Sequence, residues 1–158
     1  MDTYKEFLVA LRRIVQAADM DAKRLAKATG FTTPQHLVMR AVLDAETLTV
    51  GAIAREINLS QATATSIVGG LVRRGVLIKS RDSSDGRKVI VSLTDAGRML
   101  MADAPEGIQF ILGRRFDELQ QWERSSLMAS MQRVASLMDA ESIDAGALLH
   151  TGPVERAE

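Results

Sequence analysis

The chain has 158 residues, with 20 basic and 20 acidic side chains, so its formal net charge is zero. Neutrality argues against a broad, nonspecific nucleic-acid coat, because such a coat needs an excess of basic side chains. The chain lacks cysteine, and its two histidines, His36 and His150, lie far apart, which excludes thiol-based redox sensing and leaves no pair at metal-ligand spacing. We therefore expect no metal and no cofactor.

The first predicted elements are two helices. Apolar residues recur at helical spacing from residue 4 to residue 28, which predicts an amphipathic helix, and Gly30 is the expected end of that helix. Pro34 suits the first turn of a second helix, for which Thr33 is the predicted N-cap. This second helix should support the module that follows it.

Residues 47–94 hold the most informative pattern, which begins with two short helices joined by a tight turn. Thr49 and Ser60 are the predicted N-caps, and Asn58 suits a turn position that needs a positive φ. The second helix has an apolar side, whereas its other side lacks the Lys and Glu pairs of an ordinary solvated surface. That other side carries short polar and small residues, as a helix in the major groove requires.

A hairpin should follow the second helix. Arg73 and Arg74 suit its last turn, and Gly75 is a common stop signal. Two β-branched runs, residues 76–81 and 89–93, predict two strands. Helix, turn, helix and hairpin in this order predict a winged helix-turn-helix that binds duplex DNA.

The loop between the strands, residues 82–88, is rich in turn-forming and charged residues. Arg87 is the first candidate to enter the minor groove, whose negative potential attracts arginine, and we expect Asp85 to orient it through a bidentate pair. Residues 51–94 carry seven basic and three acidic side chains, or +4, so the remainder carries −4. Positive charge is therefore concentrated in the predicted DNA-binding module.

After Thr94, a long helical stretch is predicted to kink or weaken near Pro105 and Gly107. A final helix from about Trp122 carries an apolar stripe at i, i+4, i+7 and i+11, formed by Leu127, Met131, Val134 and Met138. The terminal helices have more apolar surface than one small winged domain can cover. This surplus predicts a homodimer with two-fold symmetry, which is also what a palindromic DNA site requires.

Five segments together resemble the MarR family of bacterial transcription regulators: LTVGAIA (48–54), LSQATAT (59–65), LVRRGVL (71–77), DSSDGR (82–87) and LTDAG (93–97). The likeness covers about residues 5–140. It implies a homodimeric repressor with two winged domains that binds a pseudo-palindromic operator and often responds to a small ligand.

The chain departs from the commonest wing pattern of that family. Ser84 and Gly86 stand where many members carry acidic and basic residues, and Lys79 stands where arginine is frequent. The Asp85 and Arg87 positions match. The resemblance therefore supports the wing assignment but leaves the strength of its contact open.

The predicted contacts fall into four groups. The residues expected to read bases are Gln61, Ala62, Thr65 and Ser66. The residues expected to hold phosphates are Ser60, Thr63, Arg73, Arg74, Arg81 and Lys88. Arg87 with Asp85 forms the minor-groove group. A ligand pocket between the terminal helices and the winged domain is predicted to be lined by Phe7, Leu11, Phe31, His36, Met39 and Phe110. For each pocket residue a plain core position is the alternative, and His36 is expected to be a satisfied core histidine.

The predicted fold class is mainly α with a small β-hairpin wing. We assign residues 1–31 and 95–145 to a helical dimerisation region, 32–94 to the winged helix-turn-helix DNA-binding domain, and 146–158 to a flexible acidic tail. No apolar run approaches the roughly 18 residues of a membrane span, and the N-terminus lacks a signal-peptide pattern. We therefore expect a cytoplasmic protein without a membrane partner.

Three further interpretations concern function. A winged-helix adaptor between proteins would need a hydrophobic or acidic recognition face. A small hydrolase would need a nucleophile–base set, which the two histidines do not supply, so no enzyme is expected. The run from residue 122 to residue 145 also resembles the branch of the family that includes regulators of compatible-solute (ectoine) genes, which implies an osmotic signal as an alternative to a small-molecule effector.

Overall fold

The computed structural model describes residues 2–143. Over that range the chain forms seven helices and a two-stranded antiparallel hairpin, which confirms the predicted fold class. The elements are α1 (Thr3–Thr29), α2 (Thr33–Ala45), α3 (Val50–Glu56), α4 (Gln61–Arg73), β1 (Leu77–Arg81), β2 (Val89–Leu93), α5 (Asp95–Asp103), α6 (Ile108–Asp117) and α7 (Gln121–Leu137). The predicted acidic tail, 146–158, and the last two residues of the 95–145 region lie outside the described residues.

The core of the winged domain is built around one face of α2. Val38, Met39 and Val42 are fully buried there, and they belong to a single apolar cluster with residues of α3, α4 and the hairpin. The other members of that cluster are Phe31, Ile53, Ile67, Val68, Leu71, Val76, Leu77, Val91, Leu93 and Met101. Burial of this face holds the helix-turn-helix and the hairpin in one body.

The end of α1 agrees with the prediction, whereas the cap of α2 does not. Gly30 takes the left-handed conformation that ends α1, with φ of 73°. The N-cap of α2 is Thr32, not Thr33, because Thr32 is extended and its backbone N–H donates to Gln35 Oε1 at 2.9 Å. Thr33 is instead the first helical residue, directly before Pro34.

The predicted helix-turn-helix is confirmed in its local geometry. Thr49 Oγ1 accepts from the backbone N–H of Ala52 at 3.2 Å, and Ser60 Oγ accepts from that of Thr63 at 3.1 Å. Asn58 lies between the two helices with φ of 53°. These caps satisfy backbone donors that the helices leave free.

The hairpin pairs Leu77 with Leu93 at its base and Arg81 with Val89 toward its tip. Leu48 adds an unpredicted bridge on the far side of β2, since it exchanges backbone hydrogen bonds with Val91 at 3.1 and 2.7 Å. The base is thus paired on both sides of β2.

Gly97 in α5 fits closely against the base of the hairpin. A Cβ atom at this position would collide with the carbonyl oxygen of Val76 and lie 2.9 Å from Leu93 Cδ2. Because one contact is to backbone, a side chain could be placed here only by moving the chain between α4 and β1. Helix α5 therefore packs so closely against the hairpin that a residue with a side chain does not fit at position 97.

The predicted kink near Pro105 is in fact a complete break between α5 and α6. Ala104, directly before the proline, is extended with ψ of 136°, as the steric effect of a following proline favours. The new helix is stabilised from outside, since the backbone N–H of Ile108 donates to Asp21 Oδ2 of α1 at 2.9 Å. The prediction underestimated the break because this cap comes from a distant part of the chain.

The outer helices keep large apolar side chains in solvent. Tyr4 and Val15 of α1, and Leu127, Met131 and Met138 at the predicted stripe, are all exposed, with Met131 at 52%. Charged residues share these helices, and none of the helices between residues 2 and 143 is long and apolar enough to cross a membrane.

Candidate nucleic-acid interface

Helix α4 separates an apolar face from a polar one. Ala64, Val68 and Leu71 are buried in the core. The exposed residues of its first turns are Gln61, Ala62, Thr65 and Ser66, which are the four predicted base contacts. The structure therefore brings this predicted group together on an accessible surface that has no acid and no large apolar side chain.

The hydroxyl groups of this helix also serve its own backbone. Ser60 Oγ donates to Thr63 Oγ1 at 2.7 Å as well as capping the helix. Thr65 Oγ1 donates to the carbonyl oxygen of Gln61 at 2.7 Å. Because a hydroxyl has one proton, Thr65 presents acceptor lone pairs to an incoming ligand while this bond persists.

Arg55 of α3 lies beside Gln61, and sequence reasoning missed it as a contact residue. A Cβ atom on Gly51 would lie 3.4 Å from Gln61 Oε1 and 3.8 Å from Arg55 Nη1. Both side chains thus lie over the bare backbone of Gly51. The available signal was the four-residue spacing between Gly51 and Arg55, which puts them on one face of a helix.

Arg73 folds back along its own helix. Its terminal nitrogens would lie 3.5 and 3.7 Å from Cβ atoms placed on Gly69 and Gly70. Within the described residues, the Arg73 guanidinium therefore lies next to both glycines. The Arg73 side chain remains exposed.

Arg74 has a different environment from the one predicted. Its Nη1 donates to the carbonyl oxygen of Gly30 at 2.9 Å, and its guanidinium carbon lies 3.6 Å from the ring centroid of Phe31. Both partners belong to the corner between α1 and α2. The Arg74 guanidinium thus contacts the protein itself, while the residue stays exposed.

The wing loop is ordered by its aspartates. Asp82 Oδ1 accepts from the backbone N–H and the hydroxyl of Ser84, each at 2.8 Å, and these bonds lower the pKa of Asp82, the backbone donor contributing most. Arg81 Nη1 donates across the loop to the carbonyl oxygen of Gly86 at 3.3 Å. The loop is thus a built turn rather than a loose connection.

The predicted bidentate pair between Asp85 and Arg87 is wrong. Asp85 Oδ1 accepts from the backbone N–H of Arg87 at 3.1 Å instead, because an aspartate two residues earlier is ideally placed for an Asx turn. Within residues 2–143, no ion pair involves the guanidinium of Arg87. Arg87 and Lys88 are both exposed at the tip of the wing.

The residues predicted to form a ligand pocket do not come together. Phe31 and Met39 are core residues, and Phe7 is on the exposed side of α1. His36 and Phe110 contact each other edge to face, with centroids 6.3 Å apart. Phe110 instead lines a separate cavity of about 320 Å³ between α2, the turn at Asn58 and α6. Of the predicted set, Leu11 lines the larger groove described next.

That larger groove, of about 1120 Å³, lies between α1 and α6 and reaches the start of α2. Its walls are mainly apolar, and its charged lining residues are Arg12, Arg115, Asp19 and Asp21. Thr33 lines the groove as well, and its buried hydroxyl has no hydrogen-bond partner among residues 2–143. An unpartnered buried hydroxyl is costly unless a ligand or water satisfies it.

His36 is buried in α2, yet it is not the satisfied core histidine that was expected. Its Nε2 has no hydrogen-bond partner among residues 2–143, and 4% of the residue is exposed. Burial lowers the pKa of His36 below its ordinary value of 6.5, the charge of Arg40 lowers it further, and Asp21 opposes both effects. The environment of the imidazole thus favours its neutral form.

A sequence model of the MarR family matches residues 29–88, the range that contains the helix-turn-helix and most of the wing. This matched segment is a winged helix-turn-helix of the MarR family of transcription regulators. The family consists of regulators rather than enzymes, in agreement with the sequence prediction.

Two curated relatives show where the similarity is strongest. The transcriptional regulator AdcR of Streptococcus pneumoniae is 41% identical over 66 residues, which are 42% of this chain and 44% of AdcR. The organic hydroperoxide resistance transcriptional regulator of Bacillus subtilis is 31% identical over 91 residues, or 58% and 62% of the two chains. The chain thus spans less than two thirds of either relative.

Solved structures extend the likeness to the whole fold. BpsR of Bordetella bronchiseptica has a TM-score of 0.57 and 25% identity, and covers 80% of this chain and 90% of its own. A mutant MarR of Escherichia coli, solved with operator DNA, has a TM-score of 0.55 and 19% identity, over 85% and 99% of the two chains. At 19% identity the second comparison shows the MarR fold alone.

The buried histidine predicts a pH dependence of stability. The folded pKa of His36 is lowered, so the unfolded chain binds its proton first as the pH falls below about 6.5. Stability contributed by neutral His36 is present well above pH 6.5 and is lost as the pH falls toward the folded pKa, with a slope of at most about 1.4 kcal/mol per pH unit. Urea unfolding between pH 7.5 and 5.5 should show a smaller loss of stability in His36→Asn than in the parent.

The matched control is His150→Asn, which removes the other histidine of the chain. It should retain the pH dependence of the parent. An equal pH dependence in His36→Asn and the parent would show that His36 does not titrate as its burial implies.

Proposed function

We propose that this MarR-family chain is a homodimeric repressor that binds a pseudo-palindromic operator through its two winged domains. The observation that carries the proposal is the exposed polar face of α4 beside a wing whose tip exposes Arg87 and Lys88. Such a face can enter the major groove while the wing follows the backbone or the minor groove. The MarR structure solved with operator DNA supports this use of the fold.

The contacts divide by chemistry. Gln61 can pair bidentately with adenine, the methyl group of Ala62 can meet thymine, and Thr65 and Ser66 can bond to base edges. The proposed phosphate contacts are Ser60, Thr63, Arg73, Arg81 and Lys88, to which the structure adds Arg55 beside Gln61. Arg74 leaves this group because its guanidinium contacts Gly30 and Phe31.

The alternative function is a winged-helix adaptor that joins proteins without binding DNA. An adaptor would need a hydrophobic or acidic surface on α4, and the exposed face has neither. The deciding experiment is fluorescence anisotropy of the purified chain with its own upstream DNA and with scrambled DNA, at several salt concentrations. Tight binding with one dimer per palindrome supports the repressor, whereas no selection of any genomic fragment supports the adaptor.

Arg87→Ala should weaken operator binding and reduce its salt dependence. Each lost basic contact lowers the slope of log affinity against log salt by about one unit, because fewer counterions are released. Anisotropy titrations from low to moderate salt measure this slope. Arg133→Ala, a charge change on α7 away from the wing, should leave it unaltered. An unchanged slope in Arg87→Ala would remove Arg87 from the contacts.

Dimerisation is supported by the apolar side chains that the outer helices leave uncovered. Leu127, Met131 and Met138 lie on one side of α7, and each is about half exposed or more. Pairing two such faces would remove their apolar surface from water, at roughly 25 cal/mol per Å². Closed two-fold symmetry would then match a palindromic site.

Met131→Asp should dissociate the dimer. A carboxylate in the centre of the paired apolar surface has no partner, and an uncompensated buried charge costs about 3–5 kcal/mol, which is more than a hundredfold in the dimer dissociation constant. Sedimentation equilibrium measures this constant. Ala129→Asp adds the same charge on the opposite side of α7 and should leave the dimer intact. A dimeric Met131→Asp would exclude this face as the interface.

We further propose that a small carboxylic acid with an apolar body is the effector and occupies the groove between α1 and α6. Apolar walls, two lining arginines and the Thr33 hydroxyl fit such a ligand, while the two lining carboxylates, Asp19 and Asp21, are already paired with Lys23 and Arg24. DNA binding by the 25% identical BpsR is regulated by 6-hydroxynicotinic acid, an aromatic acid. PcaV of Streptomyces coelicolor, 27% identical, has been solved with its natural ligand.

Calorimetric titration of the dimer with 6-hydroxynicotinic acid and with benzoate tests the effector. At least one acid should bind saturably and release operator DNA, and Thr33→Val should weaken that binding by about threefold to tenfold through loss of one hydrogen bond. Ser125→Ala is the control, because it removes a hydroxyl of α7 that does not line the groove. Release by added osmolyte without heat from either acid would favour the osmotic signal instead.

A further inference from the structure

One side chain connects the C-terminal end of α4, the proposed recognition helix, to the corner between α1 and α2. Arg74 is the C-cap residue of α4, and its backbone N–H donates to Gly70. Its side chain leaves the helix and reaches residues 44 and 43 positions earlier in the chain, Gly30 and Phe31. The hydrogen bond to the Gly30 carbonyl measures 2.9 Å, and the guanidinium stacks 3.6 Å from the Phe31 ring centre.

Both partners are rigidly held. Gly30 is the left-handed C-cap of α1, and its backbone N–H closes the last turn on Ala26. Phe31 is 3% exposed and belongs to the core around α2. The positive guanidinium also lies at the negative end of the α1 dipole, where a cation is favoured. Arg74 therefore joins two fixed points rather than two mobile loops.

A second contact holds the same end of α4 from the other side. Thr94, the N-cap of α5, donates through Oγ1 to the carbonyl oxygen of Gly75 at 2.7 Å, and its backbone N–H donates to Val76 at 3.1 Å. The chain leaving α4 is thus held by the start of α5, while Arg74 ties it to α1. Together the two contacts fix the position of the C-terminal end of α4 relative to α1 and α5.

We propose that Arg74 is a positioning residue that sets the angle of the recognition helix against α1, and thereby the separation of the two recognition helices in the dimer. The inference rests on the proposed operator binding. It assigns neighbouring arginines to different tasks. Both are exposed, but the Arg74 guanidinium bonds to the end of α1, whereas that of Arg73 lies along its own helix.

The test compares Arg74→Ala, Arg74→Lys and Phe31→Leu with Arg73→Ala and the parent. Operator affinity is measured against salt, and then on a series of operators whose half-sites are moved apart or together by one to three base pairs. Arg74→Lys keeps the charge but loses the planar stack, and Phe31→Leu removes the ring from a buried position that cannot touch DNA. Arg73→Ala is the matched loss of one exposed arginine.

Arg74→Ala, Arg74→Lys and Phe31→Leu should keep the salt slope of the parent and lose most of its preference for the native half-site spacing. Arg73→Ala should lower the slope by about one unit per protomer and keep that preference. A merely stabilising role would lower affinity at every spacing equally. A reduced slope in Arg74→Ala, or an intact spacing preference in all three variants, would overturn the inference.

A measurement without DNA separates this inference from the proposed function. Amide hydrogen exchange over residues 26–33 and 70–77 should become about tenfold faster in Arg74→Ala and Phe31→Leu, because a stacked and hydrogen-bonded guanidinium is lost. Arg73→Ala should exchange like the parent. Unchanged exchange in Arg74→Ala would refute the tie even if the parent binds its operator, and absence of operator binding by the parent would refute the repressor while leaving this measurement valid.

Discussion

The apolar face of α2 is the constraint on which the winged domain depends. Val38, Met39 and Val42 have no solvent exposure, and residues from the helix-turn-helix, the hairpin and α5 all join their cluster. Because this face draws the apolar sides of α3 and α4 inward, the polar side of α4 must point outward. The exposed polar surface of α4 is thus a consequence of how the core is filled.

The helices outside this core, α1, α6 and α7, are positioned by polar contacts rather than by a shared apolar cluster. Helices α1, α6 and α7 carry apolar side chains that the described chain does not cover, and polar contacts join α1 to α6. Asp21 accepts from the N–H of Ile108 and pairs with Arg24 at 2.7 Å, while Arg24 also donates to the carbonyl oxygen of Glu106 at 2.6 Å. A buried carboxylate with such partners is stable at that position. Helix α1 and the start of α6 are therefore oriented by hydrogen bonds. The apolar side chains of the outer helices stay exposed and could meet a second apolar surface.

Local patterns in the sequence predicted the fold well. Thr49, Asn58, Ser60 and Gly75 each acted as the caps and turns that their chemistry favours, because these signals depend on residues a few positions away. The same local reasoning predicted the exposed side of α4, where Gln61, Ala62, Thr65 and Ser66 lie. Even the misplaced cap, Thr32 rather than Thr33, was wrong by a single residue.

Long-range contacts could not be predicted in this way. Arg74 reaches across 44 positions to Gly30, Leu48 pairs with Val91, and Asp21 caps a helix 87 residues later. The predicted ion pair between Asp85 and Arg87 was wrong for the opposite reason. The Asp85 carboxylate instead accepts a hydrogen bond from the backbone N–H of Arg87, only two residues away. The ligand-pocket residues failed because apolar type alone does not distinguish a core position from the wall of a groove.

The close fit of Gly97 holds the wing at its base, whereas the tip of the wing is exposed. Its base is immobilised on one side by Gly97 against Val76 and on the other by the bridge from Leu48 to Val91. Beyond Leu77, every residue of β1 is exposed. A rotation of the hairpin about its held base would displace the base little. The same rotation would displace the Arg87 tip further, because the tip lies beyond two five-residue strands.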